Sequence, residues 1–155
     1  MRIRADEHVA PAIVRAIREI ALGEGFEITS VIEVSRGASD VHWITAFADD
    51  GGDAILTADT DFLKEPPQVM AVQKTGLKVI HLPSGWANAS LAMQAAHILQ
   101  WWRRIEVQLA TMKARECYSP SYTLSEDAAL KRVPLDFQAA GKKLKKAARP
   151  GRQNP

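Results

Sequence analysis

Short apolar runs alternate with amphipathic segments through the first half of the chain, and this alternation restricts the fold more than any other feature. The strand-like runs cover residues 3–5, 27–34, 54–57 and 78–82. Helical periodicity fills the intervals between them at residues 10–22, 40–49 and 67–75. A βαβαβαβ order favours a parallel sheet that is covered by helices on both faces and connected by right-handed crossovers. We therefore predict an α/β fold, with three layers and a central parallel sheet of about four strands.

The second half of the chain has a different character. A long helical pattern runs over residues 88–113, and a polar, turn-rich segment follows it. We divide the chain into an α/β core at 1–83, a helical extension at 84–116 that packs on the core, and a polar and basic tail at 117–155. Composition predicts that the tail is partly disordered. Its end is free of acidic residues from 138 onward and carries six cationic ones, which can reach phosphates: Lys142, Lys143, Lys145, Lys146, Arg149 and Arg152.

Composition excludes several classes of protein. The chain has 155 residues, of which 46% are hydrophobic and 25% charged, as in ordinary globular domains. No apolar run approaches the roughly 20 residues that cross a bilayer, and we expect a cytoplasmic protein without membrane association. The single cysteine, Cys117, excludes a disulfide framework and a multi-cysteine zinc site. None of the four histidines has a histidine partner at i+4, so we expect structural or surface roles for them.

Four aspartates lie at positions that often carry catalytic or ligand-binding residues in this class of fold. Asp6 follows the first strand, Asp59 and Asp61 follow the third, and Asp40 opens a helix behind Ser39. In open α/β sheets, ligands bind at the carboxyl ends of the strands. Clustered carboxylates repel one another unless they share a cation, and oxygen ligands suit Mg²⁺ or Mn²⁺. Each aspartate also has a purely local interpretation, as a turn former or as a favourable charge at a helix N-terminus.

Three segments resemble the PIN-like nucleases, above all the small bacterial proteins that include VapC-type toxins. They are MRIRADEHV, GASDVHWI and AILTADTDFL, in that order. The resemblance implies a metal-dependent ribonuclease in which Mg²⁺ or Mn²⁺ is held by Asp6, Asp40, Asp59 and Asp61. Thr57 matches the hydroxyl residue that often precedes the third-strand acids. Glu7 matches the second acid of the opening motif, but strand alternation turns its side chain away from that of Asp6.

The same resemblance extends to substrate and partners. It implies an RNA substrate, an antitoxin protein as the partner of a toxin, and a homodimer as the assembly. His8, next to Asp6, and Arg36, ahead of the Asp40 helix, are candidates for substrate contact. Of the adjacent Trp101 and Trp102, we expect one in the core and the other exposed at an interface.

Three other functions are alternatives to the nuclease. A binding module that kept the fold without turnover is the main alternative. A phosphoacceptor domain is disfavoured because Lys78 opens the fourth strand, whereas a receiver's lysine follows its strand. A dehalogenase-type phosphatase is disfavoured because it carries its Asp-x-Asp motif on the first strand, whereas here Asp59 and Asp61 follow the third.

Overall fold

A computed structural model describes residues 1–149 and contains one six-stranded sheet. The order of the strands is β2-β1-β3-β4-β5-β6, in which neighbours from β2 to β5 are parallel and β6 is antiparallel to β5. The strands are β1 (Arg2–Ala5), β2 (Glu27–Ser30), β3 (Ala54–Thr57), β4 (Lys78–His81), β5 (Cys117–Ser119) and β6 (Lys131–Val133). The four predicted parallel strands are present, and two further strands extend the sheet beyond β4.

Seven helices connect or cover these strands within residues 1–149. They are α1 (Pro11–Ala16), α2 (Val31–Val34), α3 (Asp40–Asp49), α4 (Pro66–Thr75), α5 (Ser84–Ala87), α6 (Leu91–Thr111) and α7 (Phe137–Ala147). Helix α1 continues as a π-helical segment over Ile17–Ala21. Helix α4 ends at Gly76, whose φ of 77° is left-handed, a conformation that glycine adopts without the strain of a Cβ atom. None of these helices combines the length and apolar character that crossing a membrane requires.

Side chains from the strands alternate between two buried cores, one on each face of the sheet. Ile3, Leu56 and Ile80 belong to the core that α1 and α6 cover. Ile55 and Val79 point the other way, into the core that α3 and α4 cover. Because successive strand residues face opposite sides, the near-continuous apolar runs of β3 and β4 are what a sheet buried on both faces requires. The predicted three-layer α/β architecture is therefore confirmed.

The order of the strands reverses at β1. The chain passes from β1 to β2 on one side of it, and then returns to place β3 on its other side. The register pairs Ala5 with Leu56, so the carboxyl ends of β1 and β3 lie next to each other. Open α/β sheets bind ligands at such a reversal, because the two crossovers leave a crevice there.

The predicted second strand is too long. Strand β2 ends at Ser30, and α2 begins directly after it. The Ser30 side chain accepts a hydrogen bond from the Ile32 amide, while the Glu33 carboxylate accepts one from the Ser30 amide. This reciprocal capping satisfies free amides at a helix start, and it overrides the strand preference of the Val and Ile residues that follow.

Residues 117–149 contain more regular structure than composition indicated, while partial disorder of the tail at 117–155 stays a prediction. They supply β5, β6 and α7, the last capped by Asp136, whose carboxylate accepts from the Ala139 amide at 2.8 Å. Three-residue strands are too short for a recognisable alternation, and β5 is stabilised by its pairing with β4. Arg152 and the other residues after 149 lie outside the described part of the chain.

Both tryptophans of α6 are buried, so the prediction of one exposed at an interface was wrong. Trp101 and Trp102 are 1% and 0% exposed. Trp102 can be buried because its indole N–H has a partner in the interior, the buried Glu106. Oε1 of Glu106 accepts hydrogen bonds from the Trp102 indole at 2.8 Å and from the Gly23 amide at 2.7 Å. One carboxylate thus joins α6 to the segment that follows the π-helical turn.

We expect Glu106→Ala to lower the free energy of unfolding by about 2–4 kcal/mol, because it leaves two donors in the interior unpaired. Glu106→Gln keeps one acceptor oxygen, so its free energy of unfolding should fall by less than that of Glu106→Ala. Glu19→Ala is the surface control, since Glu19 is exposed on the neighbouring π-helical segment. Urea denaturation followed by circular dichroism measures all three. A loss below about 1 kcal/mol for Glu106→Ala would contradict the role given to this carboxylate.

Candidate functional site

Asp6 lies at the sheet reversal and is almost fully buried, with 2% of its surface exposed. Its amide donates to the Leu56 carbonyl at 2.9 Å, which extends the pairing of β1 with β3 by one residue. Its carboxylate accepts hydrogen bonds from the Thr57 hydroxyl and, at 3.0 Å, from the His8 amide. The backbone therefore fixes Asp6 in the crevice, and two donors orient its side chain.

Thr57, the last residue of β3, links Asp6 to the loop that carries the other third-strand acids. It is completely buried. Its hydroxyl donates to Asp6 Oδ2 and accepts from the Asp59 amide at 3.1 Å. A hydroxyl can donate and accept at once, so a threonine at this position couples the ends of two strands.

Asp59 and Asp61 form a tight turn beyond β3. Oδ1 of Asp59 accepts from the Asp61 amide at 2.9 Å, the arrangement of an Asx turn. Asp59 is partly buried, whereas Asp61 is exposed and lies 3.5 Å from the Lys64 ammonium. The local interpretation of these residues as turn formers is thus correct, and it leaves Oδ2 of Asp59 without a protein hydrogen bond within residues 1–149.

His81 supports this loop, a role that sequence reasoning missed. The register of β3 with β4 places it opposite Thr57. Its Nε2 lies 2.9 Å from the Asp59 carbonyl oxygen, and because a carbonyl only accepts, Nε2 carries the proton. Burial lowers the pKa of His81, which favours the neutral ring. The available signal was its position at the carboxyl end of β4, next to the acidic strand ends.

Asp40 is held separately, between α3 and α4. Its carboxylate accepts from the Trp43 indole at 3.0 Å and from the Gln68 amide at 2.7 Å. Within residues 1–149, no hydrogen bond joins it to Asp6, Asp59 or Asp61. Trp43 is the tryptophan of the GASDVHWI motif and contacts Asp40 one helical turn away, whereas sequence reasoning missed Gln68, because a helical pattern does not reveal which carboxylate a distant side chain will meet.

The other candidate residues are exposed or half exposed, and in the described part of the chain only His8 of these has a short distance to one of the four aspartates. Glu7 is exposed, as strand alternation predicted. The His8 ring is half exposed, and its Nδ1 lies 3.8 Å from Asp6 Oδ2. Arg36 is exposed in the loop between α2 and α3, where it forms no ion pair with other described residues. Cys117 is not a candidate for catalysis. Burial raises the pKa of its thiol to about 12, which disfavours the reactive thiolate at neutral pH.

The electrostatics of Asp6 are unusual for an aspartate. Burial raises its pKa to about 6, although the Thr57 hydroxyl, the charge of His8 and backbone amides act in the opposite direction. The carboxylate therefore carries its charge at neutral pH at a cost in free energy. A cation next to it would remove that cost, because an opposite charge within a few ångströms favours the ionised form.

The donor atoms suit a hard divalent cation, but they do not form a closed cage. Among residues 1–149, no group of three or more His, Cys, Asp or Glu side chains is assembled closely enough to hold a metal ion. Mg²⁺ commonly binds through one or two carboxylates, with water and substrate phosphate completing its octahedron. Asp6 and Asp59, linked through Thr57 at the reversal, supply at most the two carboxylates of a site of this open type.

Comparison with known families agrees with this architecture. A family described as PIN like domain matches residues 1–84, just over half of the chain. The match covers β1 to β4 and all four candidate aspartates. Nuclease activity and metal dependence are typical of that family. Comparisons with curated proteins and with solved structures gave no significant match. The family predicted from the three sequence segments is therefore confirmed.

We expect Asp6→Asn to stabilise the metal-free protein at neutral pH. The pKa of about 6 in the folded state exceeds the ordinary value of 3.8, so the buried charge destabilises the fold above pH 6 and stops doing so as the pH falls toward 4. Removing that charge should raise the free energy of unfolding by about 2–3 kcal/mol at pH 7.5 in EDTA, and should change it very little at pH 4.

Thermal unfolding of wild type and variant across this pH range tests the prediction. Asp127→Asn is the control, because Asp127 is exposed and its substitution should leave the pH dependence unchanged. A variant that is less stable than wild type at pH 7.5 would show that Asp6 contributes more through its hydrogen bonds than it costs through its charge.

Proposed function

This chain belongs to the PIN-like domain family, and from that membership and the acidic crevice we propose that it is a metal-dependent endoribonuclease. The observation that supports the proposal most is the coupling of Asp6 to the Asp59 loop through one buried hydroxyl, at the point where the sheet order reverses. A buried carboxylate with a raised pKa, at the reversal of the strand order and without a basic partner among the described side chains other than His8, is typical of a functional site.

We assign the residues as follows. Asp6 and Asp59 hold Mg²⁺ or Mn²⁺, while Thr57 and His81 keep them in place. A divalent cation bound there would neutralise charge on the phosphate and lower the pKa of a bound water. Asp61 is exposed beside this centre. Asp40 stays with Trp43 and Gln68 and adds negative charge, and Glu7 does the same from the surface. His8 and Arg36 contact the RNA backbone.

We further propose that the protein is the toxin of a toxin–antitoxin pair. Helix α6 presents exposed apolar side chains, with Leu91 at 50%, Met93 at 49% and Val107 at 55%. Leu91 and Met93 lie near the start of α6 and Val107 lies about four turns further on, so they do not form one patch, and the toxin assignment rests on the family. The proposed partner is an antitoxin protein, and a second copy of the chain is the other assembly that the family suggests.

A non-catalytic binding module is the second candidate, and one observation favours it. The absence of a three-residue metal group within residues 1–149 would follow directly if the family's chemistry had been lost. In that case the chain would bind RNA or a protein through the same fold without cleaving anything.

The proposal predicts that Asp6→Asn and Asp59→Asn abolish cleavage of a labelled single-stranded RNA in Mn²⁺. A loss of about 100-fold or more is expected, since groups that stabilise charge in a transition state are worth that much individually. Asp127→Asn should cleave like wild type, as its side chain is exposed and makes no hydrogen bond among the described residues. Equal cleavage by all the proteins would point to a contaminating nuclease and defeat the proposal.

Thermal shift with Mn²⁺ separates the two candidates without an activity assay. A cation at 100 times its dissociation constant stabilises the folded state by about 2.7 kcal/mol. We expect that stabilisation in wild type and in Asp127→Asn, and its loss in Asp59→Asn. If wild type shows no shift with either Mn²⁺ or Mg²⁺, the binding module becomes the better description.

A further inference from the structure

We propose that α7 and Lys64 form a binding track for the backbone of single-stranded RNA, leading away from the acidic crevice. The inference rests on the proposed function, because it names how the substrate of that site is held. The α7 basic face is defined as Lys142, Lys143, Lys145 and Lys146, all of them exposed. None belongs to the segment that matches the PIN-like family, which ends at residue 84.

The four lysines share one side of α7. At 3.6 residues per turn, they lie within about 160° of the helix circumference. The opposite side is apolar and packs on α4: Ala140 is buried, and a side chain at Gly141 would meet the Met70 sulfur at 3.8 Å. Docking of the apolar side on α4 therefore fixes the basic face toward solvent.

The positive charge of this face is not neutralised within the described chain. No acidic residue occurs between Phe137 and Arg149. None of the four lysines forms an ion pair with another residue of the range 1–149, and Asp136 is engaged in capping the helix. Four adjacent ammonium groups repel one another, and a polyanion relieves that repulsion while releasing its own counterions.

A groove connects α7 to the acidic loop. It has a volume of about 180 Å³, and Lys64 and Lys143 line it from two different elements. Lys64 lies 3.5 Å from Asp61, so one end of the groove reaches the turn that carries the candidate catalytic acids. Lysines that reach the groove from two elements suit a chain of phosphates, and Asp136, which caps α7, also lines it.

Salt-dependent binding tests the track. The full-length protein is titrated into a fluorescein-labelled single-stranded RNA in EDTA, and anisotropy gives the affinity at several KCl concentrations. For single strands, each phosphate contact contributes about 0.7 to the slope of log K against log[salt]. Lys142→Gln/Lys143→Gln should reduce the slope by about 1.4 and weaken binding most at low salt. Lys64→Gln should reduce it by about 0.7.

The control removes the same charge from elsewhere. Lys113→Gln/Lys131→Gln replaces two exposed lysines that form no ion pair among residues 1–149, and its slope should stay that of wild type. Glutamine has a helix propensity close to that of lysine, so α7 is retained, and circular dichroism verifies this. Equal slopes for the two double variants overturn the proposal. Tighter binding of duplex RNA than of the single strand overturns the assignment of the ligand.

The outcome is independent of catalysis, because EDTA prevents metal-dependent cleavage. If the α7 double variant loses slope while Asp6→Asn still cleaves like wild type, the track stands and the nuclease assignment fails. If the aspartate variants lose cleavage while the α7 double variant binds like wild type, the nuclease stands and the track fails.

Discussion

The hydroxyl of Thr57 is the contact on which the arrangement of the site depends. It donates to Asp6 and accepts from the Asp59 amide, and so joins the ends of β1 and β3 at the one place where the strand order reverses. Pairing of β1 with β3 aligns the two backbones, but it does not fix the side-chain rotamers of Asp6 and Asp59. Because Thr57 is fully buried, water does not compete for its two hydrogen bonds, and the geometry of the crevice is set before any ligand arrives.

Burial of the Asp6 carboxylate lowers the stability of the folded state at neutral pH. Desolvation raises the pKa of the carboxyl to about 6, and its neighbours only partly oppose that rise. At neutral pH the ionised Asp6 therefore contributes less to stability than an aspartate with the ordinary pKa would. Retention of the acid is understandable if a cation restores the ionised form, and this connects a stability cost to a function in which the cation takes part.

The part of the chain beyond the family match also contributes to the fold. Helix α6 covers one face of the sheet and is joined to the Gly23 segment by the buried Glu106, while β5 and β6 extend the sheet past β4. Helix α7 packs on α4, the helix whose Gln68 holds Asp40. The extension therefore buries the core on one side and, on the other, places a cationic helix next to the acidic loop.

The amino-acid sequence is sufficient to predict the α/β class, three of the parallel strands nearly to the residue, the family, and the placement of Asp6, Asp59 and Asp61 at strand ends. These follow from local patterns: apolar runs, helical periodicity and the residues that end them. Only the folded structure shows that Gln68 holds Asp40, that His81 supports Asp59, that the pKa of Asp6 rises, and that β5 and β6 extend the sheet. Each of these depends on contacts between residues far apart in the chain, and a linear pattern carries no information about the distance between them.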